Sequence, residues 1–423
     1  MIHIDIPQDV AFILEKLRTA GYEAYAVGGC VRDSLLGKIP KDWDITTSAL
    51  PQEVKEIFSR TIDTGIKHGT VTVMVNSTGY EVTTYRVDGE YLDGRHPEEV
   101  EFTSRLDEDL KRRDFTINAF VYNEVEGVKD LFEGLKDLDN GIIRCVGVAE
   151  ERFNEDALRI LRAVRFAAVL KFTIEPETYA AAMKLAGNLS KVSAERIKAE
   201  LEKTLISDNP DYICLLKSMG LSGVILKELD DTDDTESLKT ALKSVKNEPR
   251  VRWATLCFYL EKHGENANIG EISEKMMQRL KFDNRTMDMV LKFLRVSAEY
   301  KNAAILNEND CRIYCRRLLN AIGEEDIYSY LDFVKATRCL PDINRENAFG
   351  GLVDTVSDIL EKNECFSLKH LAVNGRDIIG ECGINGKQVG EILDHLLETV
   401  IVSPEKNSKA VLIEEAKAYG KQL

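Results

Sequence analysis

The sequence predicts an α/β head of roughly 150 residues followed by an all-helical remainder. Two textures carry that prediction. Up to about residue 145, strand and helix patterns alternate; from about residue 150 onward the strand patterns almost vanish and long amphipathic patterns take over. The length agrees, because 423 residues exceed what one hydrophobic core organises.

Within the head, "AFILEKLRTAG" has helical spacing and stops at Gly21. "YEAYAVGG" reads as a strand and "VRDSLLG" as the helix that follows it. "TVTVMVNSTGYEVTTYRV" reads as two strands joined by an Asn-Ser-Thr-Gly turn. Downstream, "EDALRILRAVRFAAVL", "SAERIKAELEKTL" and "TMDMVLKFLRVSAEY" repeat apolar residues at helical spacing, with Ser, Asp or Asn near their starts. The acidic "DDTDDTES" at 230–237 reads as an exposed link; it lacks the central glycine and terminal glutamate of a calcium loop.

Composition narrows the function classes. No apolar run approaches a membrane span, and the opening MIHIDIPQDV lacks the basic and apolar regions of a secretion signal. Nine scattered cysteines, odd in number and without a CxxC, read as reduced thiols, so a cytoplasmic location is expected. Cys311 and Cys315 stand four apart in a helical pattern with no neighbouring His or Cys to complete a zinc site. A formal charge of −16 excludes a protein that coats nucleic acid with a uniformly basic surface, so any polyanion must meet a local basic patch.

The chemistry concentrates in "VGGCVRDSLLGKIPKDWDITT" (27–47). Asp42 and Asp44 flank Trp43 ahead of the strand-forming Ile45-Thr46-Thr47, and residues two apart on a strand share a face. Two carboxylates so placed repel unless a cation or water separates them. Their hard oxygens suit Mg²⁺, which reserves coordination positions for water and phosphate. A lone D-x-D equally fits a solvated strand end. Upstream, Gly28-Gly29 at a strand-to-helix turn lets backbone N–H groups approach a phosphate, and Arg32 in the first helical turn can grip one. A phosphate cradle followed by a carboxylate pair makes sense for a nucleoside triphosphate on metal. Glu81, in "GYEVTTYR", is a further metal ligand or base, or an exposed strand glutamate. In "KRRDFTINAF", Arg113 and Asp114 precede Phe115 and Asn118, which suggests a positioned guanidinium at the core's edge.

"NEDALRILRAVRF" carries Asp156, Arg159, Arg162 and Arg165 at intervals of three, a drifting stripe along one helix side. Such a stripe is also what a salt-bridged surface helix shows. Residues 158–203 hold nine Lys/Arg against five Asp/Glu, a net +4 in a chain of −16, which suits nucleotide or RNA binding. Cytosine and adenine both present an amino donor beside a ring-nitrogen acceptor, and uracil and guanine reverse that order. An acceptor Asp156 with a donor Arg159 would therefore select C and A.

Taken in order, "GGCVRD…DWDITT", "KRRDFTINA", "DLFEGLKDLDNGIIR" and "NEDALRILRAVRFA" resemble the successive motifs of the class II (bacterial-type) tRNA nucleotidyltransferases of the polymerase-β-like superfamily. "VSAERIKAELEKTL" is similar to the family's next helix, and "LAVNGRDIIGECGINGKQVGEILDHLLETV" resembles its tail segment. The resemblance implies an α+β catalytic head with a mixed sheet at 1–145, a nucleotide-binding helical neck at 146–205, a helical body at 206–300 and a helical tail at 301–423. It implies Asp42 and Asp44 as metal-binding carboxylates, Gly29 and Arg32 as phosphate contacts, and Arg113, Asp156, Arg159, Arg162 and Arg165 as the holders of incoming ATP or CTP. The partner implied is tRNA, gripped by the tail at its acceptor and TΨC arms. Relatives that add only CC lack a loop that here, at 86–105, has full length; this argues against CC-only addition and leaves CCA- and A-addition open. A non-catalytic RNA-binding protein on the same scaffold would be signalled by loss of a D-x-D aspartate, and both are present. A small-molecule acceptor would leave a large helical remainder unexplained.

Overall fold

A computed structural model of the chain describes residues 2–88, 100–232, 234–261, 268–300, 304–305, 307–339, 342–343, 348–383 and 385–422. By internal contacts the chain divides into two units, Met1–Asp233 and Asp234–Leu423.

The first unit opens with α1 (Gln8–Thr19), which buries Val10, Ile13, Leu14 and Leu17 at helical spacing. It stops at Ala20-Gly21, where Gly21 takes φ +92°. There follow β1 (Ala24–Val27), α2 (Gly29–Leu35), β2 (Asp44–Thr47), α3 (Pro51–Ile57), β3 (Thr61–Gly65), β4 (Thr70–Val75) and β5 (Thr78–Thr84). A hairpin of β6 (Arg86–Asp88) and β7 (Val100–Phe102) leads to α4 (Leu106–Lys111), β8 (Phe120–Asn123) and β9 (Gly127–Asp130). The main sheet runs β3-β4-β5-β2-β1-β8-β9. Its β2–β5 pair is parallel, which makes the sheet mixed, and the other pairs are antiparallel. The β4–β5 turn is tighter than its sequence suggests. Asn76 and Ser77 alone take positive φ, +46° and +69°, while Thr78 and Gly79 already belong to β5. Of the loop at 86–105, residues 89–99 lie outside the described residues.

After the sheet come α5 (Gly134–Asn140), β10 (Ile142–Ile143), α6 (Ala149–Glu155), α7 (Leu158–Leu170), β11 (Thr173–Ile174, parallel to β10), α8 (Pro176–Lys184) and α9 (Ala194–Leu205). Short helices α10 (Leu215–Ser218) and α11 (Ser222–Ile225) complete the unit. Helix α7 packs its Ile160, Leu161, Ala163, Val164, Ala167 and Ala168 inward.

Among its described residues the second unit is helical apart from one two-residue strand pair, Ala304–Ile305 with Asp342–Ile343. Its helices are α12 (Thr235–Ser244), α13 (Pro249–Leu260), α14 (Glu271–Arg279), α15 (Asn284–Tyr300), α16 (Glu308–Ile322), α17 (Ile327–Thr337), α18 (Ala348–Glu361), α19 (Gly375–Cys382), α20 (Lys387–Val402) and α21 (Lys409–Gly420). Trp253, Phe293, Tyr330 and Phe333 are fully buried in its core. A separate cluster of Ile378, Ile392, Leu396, Val400 and Leu412 holds α19, α20 and α21 together. The acidic stretch that reads as a link contains the division between the units, and Asp234 caps α12 by accepting the Ser237 N–H at 2.9 Å. Among the described residues the cysteines are all free thiols, and no helix is long and apolar enough to cross a membrane.

Candidate active site

Antiparallel pairing sets Val27 opposite Asp44, so the Gly28-Gly29 turn at the end of β1 stands beside the start of β2. Gly28 takes φ +78°, and a Cβ there would stand 3.2 Å from Arg113 Nη1 and 3.6 Å from the Asn118 carbonyl. The bare backbone is therefore what lets the guanidinium lie over the turn. On the other side, the parallel pair Ile45–Val82 places Asp44 and Glu81 at corresponding positions on neighbouring strands. Asp42, Asp44 and Glu81 are exposed. The Asp44 carboxyl is pushed above its ordinary range. Partial loss of hydration contributes most, the like charge of Glu81 next, with Arg113 opposing and Asp42 adding to the rise.

A frame of arginines surrounds this corner, and the structure gives each an anionic partner. Asp109, fully buried within α4, accepts from Arg112 Nε and Nη2 at 3.0 and 2.8 Å and from Thr46 Oγ1 at 3.2 Å. It lies 3.5 Å from Arg113 Nη2. Burial opposes its charge, but Arg112 and Arg113 hold the carboxyl below the usual range. Asp114, equally enclosed, accepts from Arg162 Nε at 2.8 Å, from Arg162 Nη2, from Asn118 Nδ2 at 3.0 Å and from the Phe115 N–H at 2.8 Å. Its carboxyl falls to about 2 against the cost of burial, chiefly because of Arg162. Arg32 Nη1 donates to Asn118 Oδ1 at 2.6 Å, and its Nε and Nη2 donate to Asp33 Oδ1 at 2.9 and 2.7 Å. Arg165 faces Glu200 of α9, Nε to Oε2 at 2.8 Å.

The stripe expected from Asp156 to Arg165 is interrupted. Asp156 ends α6 in extended backbone (φ −138°, ψ 104°), and α7 begins only at Leu158. The reason is local: its Oδ1 accepts the Leu158 N–H at 3.0 Å, the kind of side-chain bond by which aspartate favours a helix boundary over a helix interior. Oδ2 accepts from Arg196 Nη2 at 2.8 Å. Arg159 is paired not with Asp156 but with Glu155, and it donates to the carbonyls of Arg152 at 3.2 Å and Arg112 at 2.9 Å. The excess of positive charge counted along 158–203 is thus met by Asp114, Glu150, Glu155 and Asp156, which all lie outside that span.

A family model described as "Poly A polymerase head domain" matches residues 24–144, and one described as "Probable RNA and SrmB- binding site of polymerase A" matches 171–232. A CCA-adding enzyme of Ligilactobacillus salivarius is 38% identical over 413 residues, covering 96% of this chain and 95% of the relative. One from Lactiplantibacillus plantarum is 36% identical over 417 residues, covering 96% and 94%. The chain belongs to the CCA-adding enzyme family. Among solved structures, the Bacillus stearothermophilus CCA-adding enzyme in complex with CTP matches with a TM-score of 0.79 at 32% identity, over 98% of this chain and 99% of that one.

Against the family's motifs, the fold brings together in one unit Gly28, Gly29, Arg32, Asp42, Asp44, Glu81, Arg113, Asp114, Asp156, Arg159, Arg162 and Arg165. Sequence reasoning missed the groups that hold them. Asp109 lies in an acidic helix start that reads as solvated, Asn118 reads as the core's edge, and Phe166 carries no signal of its own. Arg196 and Glu200 sit in a helix counted only toward the positive excess of 158–203; no local signal pairs them with Asp156 and Arg165. Among the described residues no three His, Cys, Asp or Glu side chains form a closed metal cage. Two exposed aspartates with Glu81 repelling one of them fit instead a hard divalent cation that keeps positions open for water and phosphate oxygens.

Proposed function

We propose that this chain adds C, C and A in turn to the 3′ end of tRNA, using CTP and ATP and releasing pyrophosphate. The observation that carries the reading is the D-x-D beside Gly28 with the Arg113 guanidinium lying over that glycine, in a chain related over almost its whole length to CCA-adding enzymes. Arg32, Arg113, Arg162 and Arg165 bind and orient the triphosphate so that its α-phosphorus faces the RNA 3′ hydroxyl in line. Asp156 accepts the amino proton of cytosine or adenine while Arg159 donates to the adjacent ring nitrogen. Asp114 fixes one fork orientation of Arg162, and Arg196 fixes Asp156. Mg²⁺ on Asp42 and Asp44 would supply electrostatic stabilisation of the attacking and leaving oxygens. Glu81, on the neighbouring strand, takes either the hydroxyl proton or a third metal position.

We infer the same division of labour for the chain's segments, in the cytoplasm: a catalytic head at 1–145, a nucleotide-reading neck at 146–205, a helical body at 206–300 and a tail at 301–423 that grips the acceptor and TΨC arms. The test is incubation of the pure protein with tRNA lacking its CCA end, Mg²⁺, CTP and ATP. The expected product is three nucleotides longer; no extension sinks the proposal. CTP alone with the same tRNA separates CCA addition, which gives two added residues, from A-only addition, which gives none.

A further inference from the structure

Three arginines converge on one ring. The guanidinium carbons of Arg165, Arg32 and Arg162 lie 4.1, 5.2 and 5.4 Å from the centroid of Phe166. Arg32 comes from α2 in the head, while Arg162, Arg165 and Phe166 itself belong to α7, so the ring joins two elements far apart in sequence. Its own orientation is set by Phe115, which stands edge-on at 5.7 Å and 79° and lies next to Asp114. Phe166 is 7% exposed, too enclosed to offer the ligand a face of its own.

Cations gathered on one ring repel one another, and the carboxylates that hold them differ. Asp33 takes Arg32, Asp114 takes Arg162 and Glu200 takes Arg165. The third pair is incomplete: Arg165 Nε and Glu200 Oε2 are both buried, close enough for an ion pair, yet neither atom has a hydrogen-bond partner among the described residues. Burial correspondingly pulls the Arg165 guanidinium below its ordinary range. Besides the carboxylates, the negative face of the aromatic ring attracts each cation without consuming its N–H donors. The carboxylates take Nε and Nη2 of Arg32 and of Arg162, and the ring holds each guanidinium without consuming the N–H donors that remain.

We infer that Phe166 is a positioning residue: its ring is the common seat that presets Arg32, Arg162 and Arg165 to receive the phosphate chain of the incoming nucleotide. This rests on the reading of the site as a nucleoside-triphosphate pocket. Phe166 acts through the arginines and touches no reacting atom. Base selection by Asp156 and Arg159 is independent of it.

The experiment compares Phe166→Leu, which keeps apolar bulk without a π face, with Phe166→Tyr, which keeps the face. Inorganic tripolyphosphate, titrated calorimetrically, probes the phosphate seat without requiring turnover. Loss of three cation–π contacts predicts tripolyphosphate affinity weakened on the order of tenfold in the leucine variant. KM for CTP and for ATP should rise by a similar factor, while KM for tRNA and the preference for CTP over UTP stay unchanged. The tyrosine variant should recover most of the loss. Unchanged tripolyphosphate affinity in the leucine variant overturns the inference, as does an equal rise in KM for tRNA or a tyrosine variant no better than leucine. A wild-type protein that binds tripolyphosphate in this Phe166-dependent way but extends no tRNA would instead overturn the functional proposal and leave the seat standing.

Discussion

Asp114 offers the sharpest test of the frame around the site, because it is both buried and the anchor of Arg162. Its carboxyl is lowered from an ordinary 3.8 to about 2. At about 1.4 kcal/mol per pH unit, that corresponds to roughly 2 to 3 kcal/mol of folding stability at neutral pH. Asp114→Asn keeps the shape and removes the charge, leaving the half-buried Arg162 without its carboxylate, so a loss of about 2 to 3 kcal/mol is expected. The direction with pH follows from the depressed value. The stabilisation is complete above the unfolded carboxyl's 3.8, is roughly halved near pH 3, and is gone once the folded carboxyl protonates below about 2. The chain has two tryptophans, Trp43 in the first unit and Trp253 in the second. In a Trp253→Phe background, urea unfolding followed by Trp43 fluorescence therefore reports the first unit. At pH 7 the protein with Asp114 intact should exceed the Asp114→Asn variant in stability by the stated margin, and at pH 3 by about half of it. A gap below about 0.5 kcal/mol, or one that does not shrink in acid, would refute the assignment of Asp114 as an ionised anchor.

Other perturbations address the remaining roles. Asp42→Ala should reduce nucleotide incorporation below detection while tRNA affinity, measured by filter binding, changes less than about threefold; retained turnover would remove Asp42 from the metal site. Asp156→Ala should lower the preference for CTP over UTP by about 10- to 100-fold, the worth of one well-placed bidentate pair, in competition assays. Unchanged preference would move base reading elsewhere. Gly28→Ala puts a side chain into φ +78° and 3.2 Å from Arg113 Nη1. It should cost about 1 to 2 kcal/mol of stability in thermal melts and raise KM for CTP about fivefold as Arg113 gives way; a neutral result on both counts would show that the close approach is not needed.

The sequence by itself determined the two textures of the chain and the chemical vocabulary of the site. Hydrophobic period is a local property, so the helix at 8–19, the strands at 24–27, 70–75 and 78–84 and the helices of the second unit could be read directly. The D-x-D, the Gly-Gly turn and the arginines each fit a bland use alone, and only their order along the chain singles them out. What only the tertiary structure decided is how charge is compensated. Asp156 looked like the first rung of a helical ladder, yet its carboxylate caps the next helix and meets Arg196, forty residues away. Arg162 looked like a free phosphate ligand, yet it is held by Asp114 from the head. Phe166 has no signal in the sequence, yet three guanidiniums gather on its ring. Helical spacing says which side of a helix a residue takes. Which partner waits there depends on how the sheet and the following helices pack, and at contact range that partner decides whether a buried charge is stable.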